Sequence, residues 1–555
     1  MSSPAGRQFV IALTAGAALA AVLSYPTIAR PGSVARVDTD DGKFSVWNVA
    51  WVAHALVDDP RNVFNANIFY PRTGTLAYSE ANLVAGALAA PVYAVTRNPL
   101  AAHNVAVFLI LILAFVSMWA LVRRLTGSWS GAIVAAAGFA FAPYVAAKTA
   151  HVQLLMVWVF PLVFLAFHRL VEAPGLWRGV VLGLSLVLAA LSCGYYGIFA
   201  GLAVGFAALW FAFGHPHQRR YWTGLALAVV VSGALIAPVL RPYLELRSQA
   251  GARRAVNLDE ARDHSANLRA YLSSPSRVHE WVGDRVLTGL GPAKEGLFPG
   301  LVLTIFAVLG IWATTRSTAA RGWKDPTSPR RVVSFYVALG VLSLWASLGP
   351  AAGLYSVLAH TTPFMSFLRV PARFGAVVVF TLAVLAGFGL VRLLAGRRQW
   401  LAAALTAAVA IEVAAVPWDL HEPDPLPEAY RRLANLPRGG VVEFHFPYRS
   451  TELFRHTRYM FDSIWHWQPL INGYSDYIPQ DFRDMAIPIN GFPDAESFRI
   501  LRAHQAKYVV IHLDTYGDAE KRAILLARFP AYQENLQLIV RDTDTLLYEI
   551  VRFPE

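Results

Sequence analysis

Repeated apolar runs, each about 20 residues long, constrain this chain more than any other feature of its sequence. About eleven of these runs are long enough to cross a bilayer. Only 15% of the 555 residues are charged, whereas a soluble protein carries about a quarter. The sequence therefore predicts an α-helical polytopic membrane protein. The runs lie near 8–25, 100–122, 129–147, 151–171, 178–195, 196–213, 221–240, 299–315, 332–349, 374–394 and 400–416, and residues 178–213 form either one hairpin or a broken pair.

Lysine and arginine residues between the runs predict how the chain is oriented. They cluster in alternate loops, and the positive-inside rule makes those loops cytoplasmic. The net charge of +12 therefore reports topology and does not indicate a nucleic-acid partner. The N-terminus is then inside, with the first run interpreted as an uncleaved span because no small-residue cleavage site precedes Pro26. The outer face receives the loops 26–99 and 241–298, the segment 350–373 and the tail from 417.

The tail differs from the rest of the chain in its composition and hydropathy pattern. It contains no spanning run, and its charge density is that of a soluble domain. Short β-like runs such as "GVVEFHF" and "KYVVIHL" alternate with helical stretches such as "DAESFRILRAHQA" and "DAEKRAILLARF". The sequence thus predicts a transmembrane domain over residues 1–416, with the outer loops 26–99 and 241–298, and an extracytoplasmic α/β domain over 417–555.

An acid cluster opens the first outer loop, in "DTDDGKFSVWNVAW" at residues 38–51. Phe44, Trp47 and Trp51 follow at helical spacing, which suits a helix lying in the membrane interface. The acids either cap this helix or include a general base whose pKa is raised by burial. Three acids exceed what one cap requires, which favours the catalytic interpretation.

Two arginines stand at a predicted helix start in "LRVPARF". Pro371 suits the first helical position, which puts Arg373 in the first turn and Arg369 just before it. A cation is disfavoured there by the helix dipole. An anion held by both guanidinium groups and the free backbone N–H groups would explain them. The alternative is a structural salt bridge to an acid of a loop.

Three further outer-face positions keep two interpretations each. Glu80 either caps the helix that follows it or takes part in function. Lys148, beside His151 at an outer junction between spans, either snorkels to the interface or contacts phosphate. Arg241 opens a basic loop that is either simply solvated or binds phosphate.

These motifs, in their order and spacing, resemble the GT-C superfamily of integral-membrane glycosyltransferases, and most of all a group of its bacterial members. The resemblance covers nearly the whole chain. It is carried by "DGKFSVWNVAWVAHALVDDPRNVFNANIFYPRTGTLAYSE", "APYVAAKTAHVQLL", "EGLFPG", "LRVPARF" and, in the tail, "WHWQPLINGYSDYIP".

The resemblance implies a function. GT-C enzymes move a sugar from a polyprenyl-phosphate or polyprenyl-diphosphate donor to a lipid, glycan or protein acceptor on the outer side of the membrane, and inversion at the anomeric carbon is expected. By position, Asp41 matches the catalytic acid, with Asp40 as the close alternative. The donor phosphate is assigned to Arg369 and Arg373, with Arg241, Lys148 and His151 behind them.

Further expectations concern the role of the tail motif, the need for a metal ion and the cellular location. His466, Asn472 and Tyr474 either contact the acceptor sugar or form a turn that docks the tail on the membrane domain. Metal dependence stays open, although Asp40, Asp41 and Glu80 could supply oxygen ligands to a divalent cation. A bacterial cytoplasmic membrane, with the tail in the periplasm, is the expected location. The alternative functions are a lipid or polysaccharide transporter and a non-catalytic envelope assembly protein.

Overall fold

The structure is a computed structural model that describes residues 4–212, 218–249, 258–286, 295–316, 325–362, 364–365, 368–394 and 399–555. The chain divides into two compact units. Unit 1 comprises Met1–Ala29 and Ala106–Trp418, and unit 2 comprises Arg30–Val105 and Asp419–Glu555. Residues 30–105 are thus grouped with the tail, whereas hydropathy alone assigned 26–99 to the membrane domain as an outer loop.

Helices account for most of the described residues. They are α1 (Pro4–Leu23), α2 (Asp40–Asp58), α3 (Leu83–Thr96), α4 (Pro99–Thr126), α5 (Trp129–Ala140), α6 (Pro143–Ala146), α7 (Val159–Glu172), α8 (Leu176–Ser192), α9 (Gly194–Ala212), α10 (Arg219–Gln249), α11 (Leu258–Asp263), α12 (Arg277–Val286), α13 (Leu301–Thr315), α14 (Pro329–Ser347), α15 (Leu354–Thr361), α16 (Gly375–Leu393), α17 (Gln399–Val413), α18 (Glu428–Leu433), α19 (His456–Asp462), α20 (Gln480–Met485), α21 (Ala495–Ala503) and α22 (Ala519–Leu526).

Seven helices of the described residues are long and apolar enough to cross a membrane, and four shorter apolar helices accompany them. Only Cys193 separates α8 from α9, so residues 176–212 form two helices joined directly. Helices α13 and α16 pack closely through small residues: a Cβ on Gly310 would lie 2.2 Å from the Leu385 carbonyl oxygen, and one on Gly389 would lie 2.1 Å from that of Phe306. Such close backbone approach is typical of helix pairs in membranes.

The sheet of unit 2 lies in the tail, where the sequence predicted an α/β domain. Its strands are β1 (Gly440–Phe444), β2 (Ala506–His512), β3 (Leu536–Arg541) and β4 (Thr545–Ile550), in the order β1-β2-β4-β3. Strands β1 and β2 are parallel, and the other two pairings are antiparallel. The runs "GVVEFHF" and "KYVVIHL" form β1 and β2, and the two "DAE" stretches form α21 and α22, as predicted.

The tryptophans of α2 face the protein rather than a membrane interface, which corrects the interfacial-helix interpretation. Trp47 is 1% exposed, and its indole N–H donates to Asn67 Oδ1 at 3.0 Å. Trp51 is 6% exposed and donates to the Val63 carbonyl at 2.9 Å. The helical spacing was correct, but an apolar stripe has the same period whether lipid or protein covers it.

Candidate active site

The acid cluster lies in unit 2 at the start of α2. Thr39 caps the helix, because its hydroxyl accepts a hydrogen bond from the Gly42 N–H at 3.2 Å. Asp38 pairs with Arg36 at 2.8 Å. Neither Asp40 nor Asp41 is therefore needed as the cap, and both occupy the first turn, where the helix dipole favours negative charge.

The two first-turn acids have different environments. Asp40 is 38% exposed, and its Oδ1 accepts a hydrogen bond from the Thr457 hydroxyl of α19 at 2.9 Å. The Lys43 ammonium lies 3.9 Å from the same oxygen. Asp41 is exposed. Asp40 is thus anchored to the tail, while the Asp41 carboxylate is on the accessible side of the turn.

Residues of α2 also contact Tyr474 and the backbone of Glu80 within unit 2. Phe44, one turn after Asp40, meets the Tyr474 ring edge-on with 6.4 Å between centroids. One turn further, Asn48 Nδ2 donates to the Glu80 carbonyl oxygen at 3.0 Å. Glu80 does not cap α3, because that helix begins after Asn82. The capping interpretation of Glu80 is therefore wrong.

Two residues of the tail motif are committed to the interior of unit 2. Burial lowers the pKa of His466 to about 3, so its ring is neutral, and it stacks on Tyr430 with 5.5 Å between centroids. Asn472 is fully buried. Its Oδ1 accepts from the Glu443 N–H at 2.7 Å, and its Nδ2 donates to the Glu443 carbonyl at 2.9 Å. These contacts leave Tyr474, which is half-buried, as the most accessible of the three predicted acceptor residues.

The motif docks through its backbone on residues 67–78. The Leu470 N–H donates to the Asn67 carbonyl at 2.9 Å, and the Tyr477 N–H donates to the Tyr78 carbonyl at 3.1 Å. Between them, the Phe69 N–H donates to the Asn472 carbonyl at 3.1 Å. The segment therefore docks on residues of the first outer loop within unit 2, and docking of the tail on the membrane domain stays a prediction.

A cavity of about 280 Å³ opens beside this junction. Its walls combine aromatic rings with a charged pair, since Arg72 and Asp481 form an ion pair there. Phe69 and Phe482 are 2% and 3% exposed and form its apolar side. Aromatic faces beside a few polar groups are typical of small-ligand pockets.

Unit 1 contains the two arginines of "LRVPARF". Residues Pro371–Phe374 form a 3₁₀ turn that leads into α16, with Pro371 at its start as predicted. The Arg373 guanidinium lies 4.1 Å from the ring centroid of Tyr195, and the Tyr195 hydroxyl accepts the Arg369 N–H at 3.1 Å. Arg369 also pairs with Glu260 of α11 at 3.4 Å. One tyrosine thus orients both arginines, and the salt-bridge alternative holds for Arg369.

The other candidate cations, Lys148, Arg241 and His151, differ in their exposure and in their contacts. Lys148 forms an ion pair with Glu295, and both side chains are mostly buried, at 15% and 18% exposed. It therefore does not snorkel. Arg241 lies in α10, which continues to Gln249, so the helix and not the loop carries it. It is 80% exposed and pairs with Glu245 at 2.7 Å. His151, half-buried, precedes the short 3₁₀ turn Val152–Leu155.

A buried polar network behind β1 was missed by the sequence analysis. The Tyr430 hydroxyl donates to Glu443 Oε2 at 2.5 Å, and His512 Nε2 lies 2.7 Å from the same oxygen. Both Glu443 and His512 are at most 1% exposed. The available signal was a glutamate within an apolar strand and a histidine at the end of the next, because a buried charge needs such partners.

Metal binding has no preformed cluster in the part of the chain that the structure describes. No group of three or more histidine, cysteine, aspartate or glutamate side chains converges there. Of the three candidate metal ligands, Asp40 and Asp41 are adjacent in sequence, and Asp40 Oδ1 already accepts a hydrogen bond from Thr457.

Solved structures share the fold of this chain. The cryo-EM structure of the arabinofuranosyltransferase AftD from Mycobacteria matches 99% of the chain at 14% identity, with a TM-score of 0.56. A mutant form of AftD matches 99% of the chain at 15% identity, with a TM-score of 0.55. The oligosaccharyltransferase AglB from Archaeoglobus fulgidus, in complex with an inhibitory peptide and a dolichol-phosphate, matches 96% at 11% identity, with a TM-score of 0.47 over 72% of its own length. No protein-family model and no curated protein matches the chain.

The AftD comparison confirms the predicted fold class. The chain has a GT-C-type membrane fold, together with a small sheet in its tail. It spans 40% of the length of the AftD structure that it matches. A shared fold hosts different chemistries, so the activity has to be argued from the residues of the site.

Proposed function

We propose that this protein is a membrane glycosyltransferase that uses a polyprenyl-phosphate or polyprenyl-diphosphate sugar donor. The observation that carries the proposal is the exposure of Asp41 in the first turn of α2, where the helix dipole favours a negative charge. The GT-C-type fold and the arginine pair around Tyr195 support it.

The proposed reaction is a direct displacement at the anomeric carbon. Asp41 accepts the proton of the acceptor hydroxyl, whose oxygen forms the new bond to the anomeric carbon. The bond between that carbon and the phosphate oxygen breaks, and its electron pair stays on the leaving phosphate. Arg369 and Arg373 stabilise this growing negative charge. The displacement inverts the anomeric centre.

The roles of the remaining residues follow from their environments. Asp40, held by Thr457, keeps the first turn of α2 in place beside Asp41. Lys148 and His151 add to the donor-phosphate site, with Arg241 as an outlying cation. Tyr474 and the cavity beside Arg72 and Asp481 contact the acceptor. Glu80 has a supporting role near α2, where Asn48 holds its backbone.

The proposed location is a bacterial cytoplasmic membrane. The positive-inside pattern of the loops supports an inside N-terminus and an outer-face reaction. The tail then works in the periplasm, and the acceptor is a lipid, a glycan or a protein that reaches the outer face.

Two aspartate substitutions test the proposal. A general base contributes about 10²–10⁴-fold to the rate, so Asp41→Asn should lower transfer by that factor while the bound polyprenyl-phosphate lipid is retained. Asp38→Asn is the matched control from the same cluster, because Asp38 pairs with Arg36. Transfer is measured as radiolabelled sugar incorporated into envelope glycans by membranes of a deletion strain that carries each variant. Wild-type incorporation by Asp41→Asn would refute the assignment.

A further inference from the structure

A second cavity lies in unit 1, at one end of three apolar helices and separate from the candidate active-site residues. Its volume is about 320 Å³. Arg124 comes from the last turn of α4, Arg169 from the last turn of α7, and Arg178 from the first turn of α8. Ala166, Trp177 and Val181 complete the lining. The cavity thus joins three guanidinium groups to an apolar wall.

The charges of this cavity are only partly neutralised. Glu172 pairs with Arg124 through two hydrogen bonds. Arg178 donates to the Ala173 carbonyl, which is a neutral acceptor. Arg169 is exposed. Among the residues that the structure describes, neither Arg169 nor Arg178 forms an ion pair with an acidic side chain.

The surroundings of this cavity have the composition that is expected at the level of lipid headgroups. Trp177 is 74% exposed and Leu176 is 60% exposed at the start of α8. An exposed tryptophan at the end of an apolar helix is typical of the membrane–water interface. The apolar wall continues along α7 and α8, where the glycerol and the first acyl carbons of a lipid would lie.

We propose that this cavity binds the phosphate of an anionic phospholipid on the cytoplasmic side of the membrane. Arg169 and Arg178 donate to the phosphate oxygens, because guanidinium groups bind phosphate through paired hydrogen bonds. Basic pockets between helices at the cytoplasmic surface are suited to anionic headgroups. Trp177 packs beside the glycerol. A zwitterionic lipid gains less here, because its own cation competes with the arginines.

The test compares two lipids on the full-length protein in detergent micelles. Native mass spectrometry measures the binding of phosphatidylglycerol and of phosphatidylcholine to the wild type and to the double variant Arg169→Gln/Arg178→Gln. We expect phosphatidylglycerol to bind more tightly to the wild type. Removing two arginines from an anionic surface contact should weaken it roughly thirtyfold, with little change for phosphatidylcholine.

Arg219→Gln provides the matched control, because Arg219 is an exposed arginine at the end of another apolar helix, α10, and does not line the cavity. It should leave the preference for phosphatidylglycerol unchanged. Equal binding of the two lipids to the wild type would overturn the proposal, and so would a double variant that keeps the preference. Displacement of the lipid by inorganic phosphate at equal ionic strength would assign the cavity to a soluble phosphate instead. An unchanged thermal unfolding midpoint in phosphatidylcholine shows that the variants are folded.

Discussion

Replacing Asn472 by alanine separates a structural role of the tail motif from an acceptor-binding role. Strand β1 is at the edge of the sheet, and the Asn472 amide continues its hydrogen-bonding pattern by accepting from the Glu443 N–H and donating to the Glu443 carbonyl. The side chain thus replaces a missing neighbouring strand at one residue. Asn472 and Glu443 are both fully buried, so the lost hydrogen bonds are compensated only to the extent that water enters the space left behind.

The magnitude follows from these two bonds. Each contributes about 1 kcal/mol net, and a buried backbone group left without a partner costs about 1–3 kcal/mol. Some water will enter the space that Asn472→Ala creates, so about 3 kcal/mol of local stability should be lost. A free-energy change of this size corresponds to about a hundredfold change in an opening equilibrium.

Hydrogen exchange of the full-length protein in nanodiscs measures this loss, because exchange reports local opening. Peptides that cover β1 and β2 should exchange about a hundredfold faster in Asn472→Ala. The control is Asn435→Ala, where an exposed amide makes a single hydrogen bond to the Arg431 carbonyl, and where the change should stay within about 0.5 kcal/mol. Normal protection of β1 together with a raised KM for the acceptor would refute the structural role.

Two further predictions concern charged groups. Burial, and then the negative charge of Glu443, raises the pKa of Asp462 to about 7. Because the folded-state pKa is above the ordinary value, the contribution of this group to stability is full below about pH 4 and is lost as the pH rises through 7. Asp462→Asn should therefore slow the hydrogen exchange of α19 amides at pH 8 and change it little at pH 4, and an effect of the variant that does not depend on pH would contradict this. For the Lys148–Glu295 pair, Glu295→Gln should strengthen binding of polyprenyl phosphate to the purified protein and Lys148→Gln should weaken it, whereas equal weakening by both would show that the pair is structural.

Local signals predicted the elements of the tail well. The stretch "DAESFRILRAHQA" carries its own start signal, because Asp494 and Ser497 form a reciprocal capping box at the start of α21. Asp518 caps α22 without a reciprocal bond, by accepting one hydrogen bond from the Lys521 N–H. Strands β1 and β2 are short apolar runs between turns. All of these features depend on residues that are close in sequence.

Contacts between distant segments could not be predicted in this way. Arg369 and Arg373 were recognisable from the proline at the helix start. Tyr195, which orients both, lies in an apolar helix, and no local sequence pattern distinguishes it from the other aromatic residues there. Glu295 was visible in "EGLFPG" as a motif residue, yet its pairing with Lys148 spans 147 positions. Hydropathy finds spans and loops, and it carries no information about which loops pack together.

The grouping of residues 30–105 with the tail changes how the acid cluster should be understood. Asp38 pairs with Arg36, Asp40 accepts a hydrogen bond from Thr457, and Thr39 provides the helix cap. Thr457 belongs to α19, which packs on α2 within unit 2. The tail therefore supports the turn that contains Asp41. Although hydropathy predicts the tail as a separate domain, the tail helps to hold the candidate general base in place. A tail deletion would for this reason disturb the first turn of α2 as well as any acceptor contact.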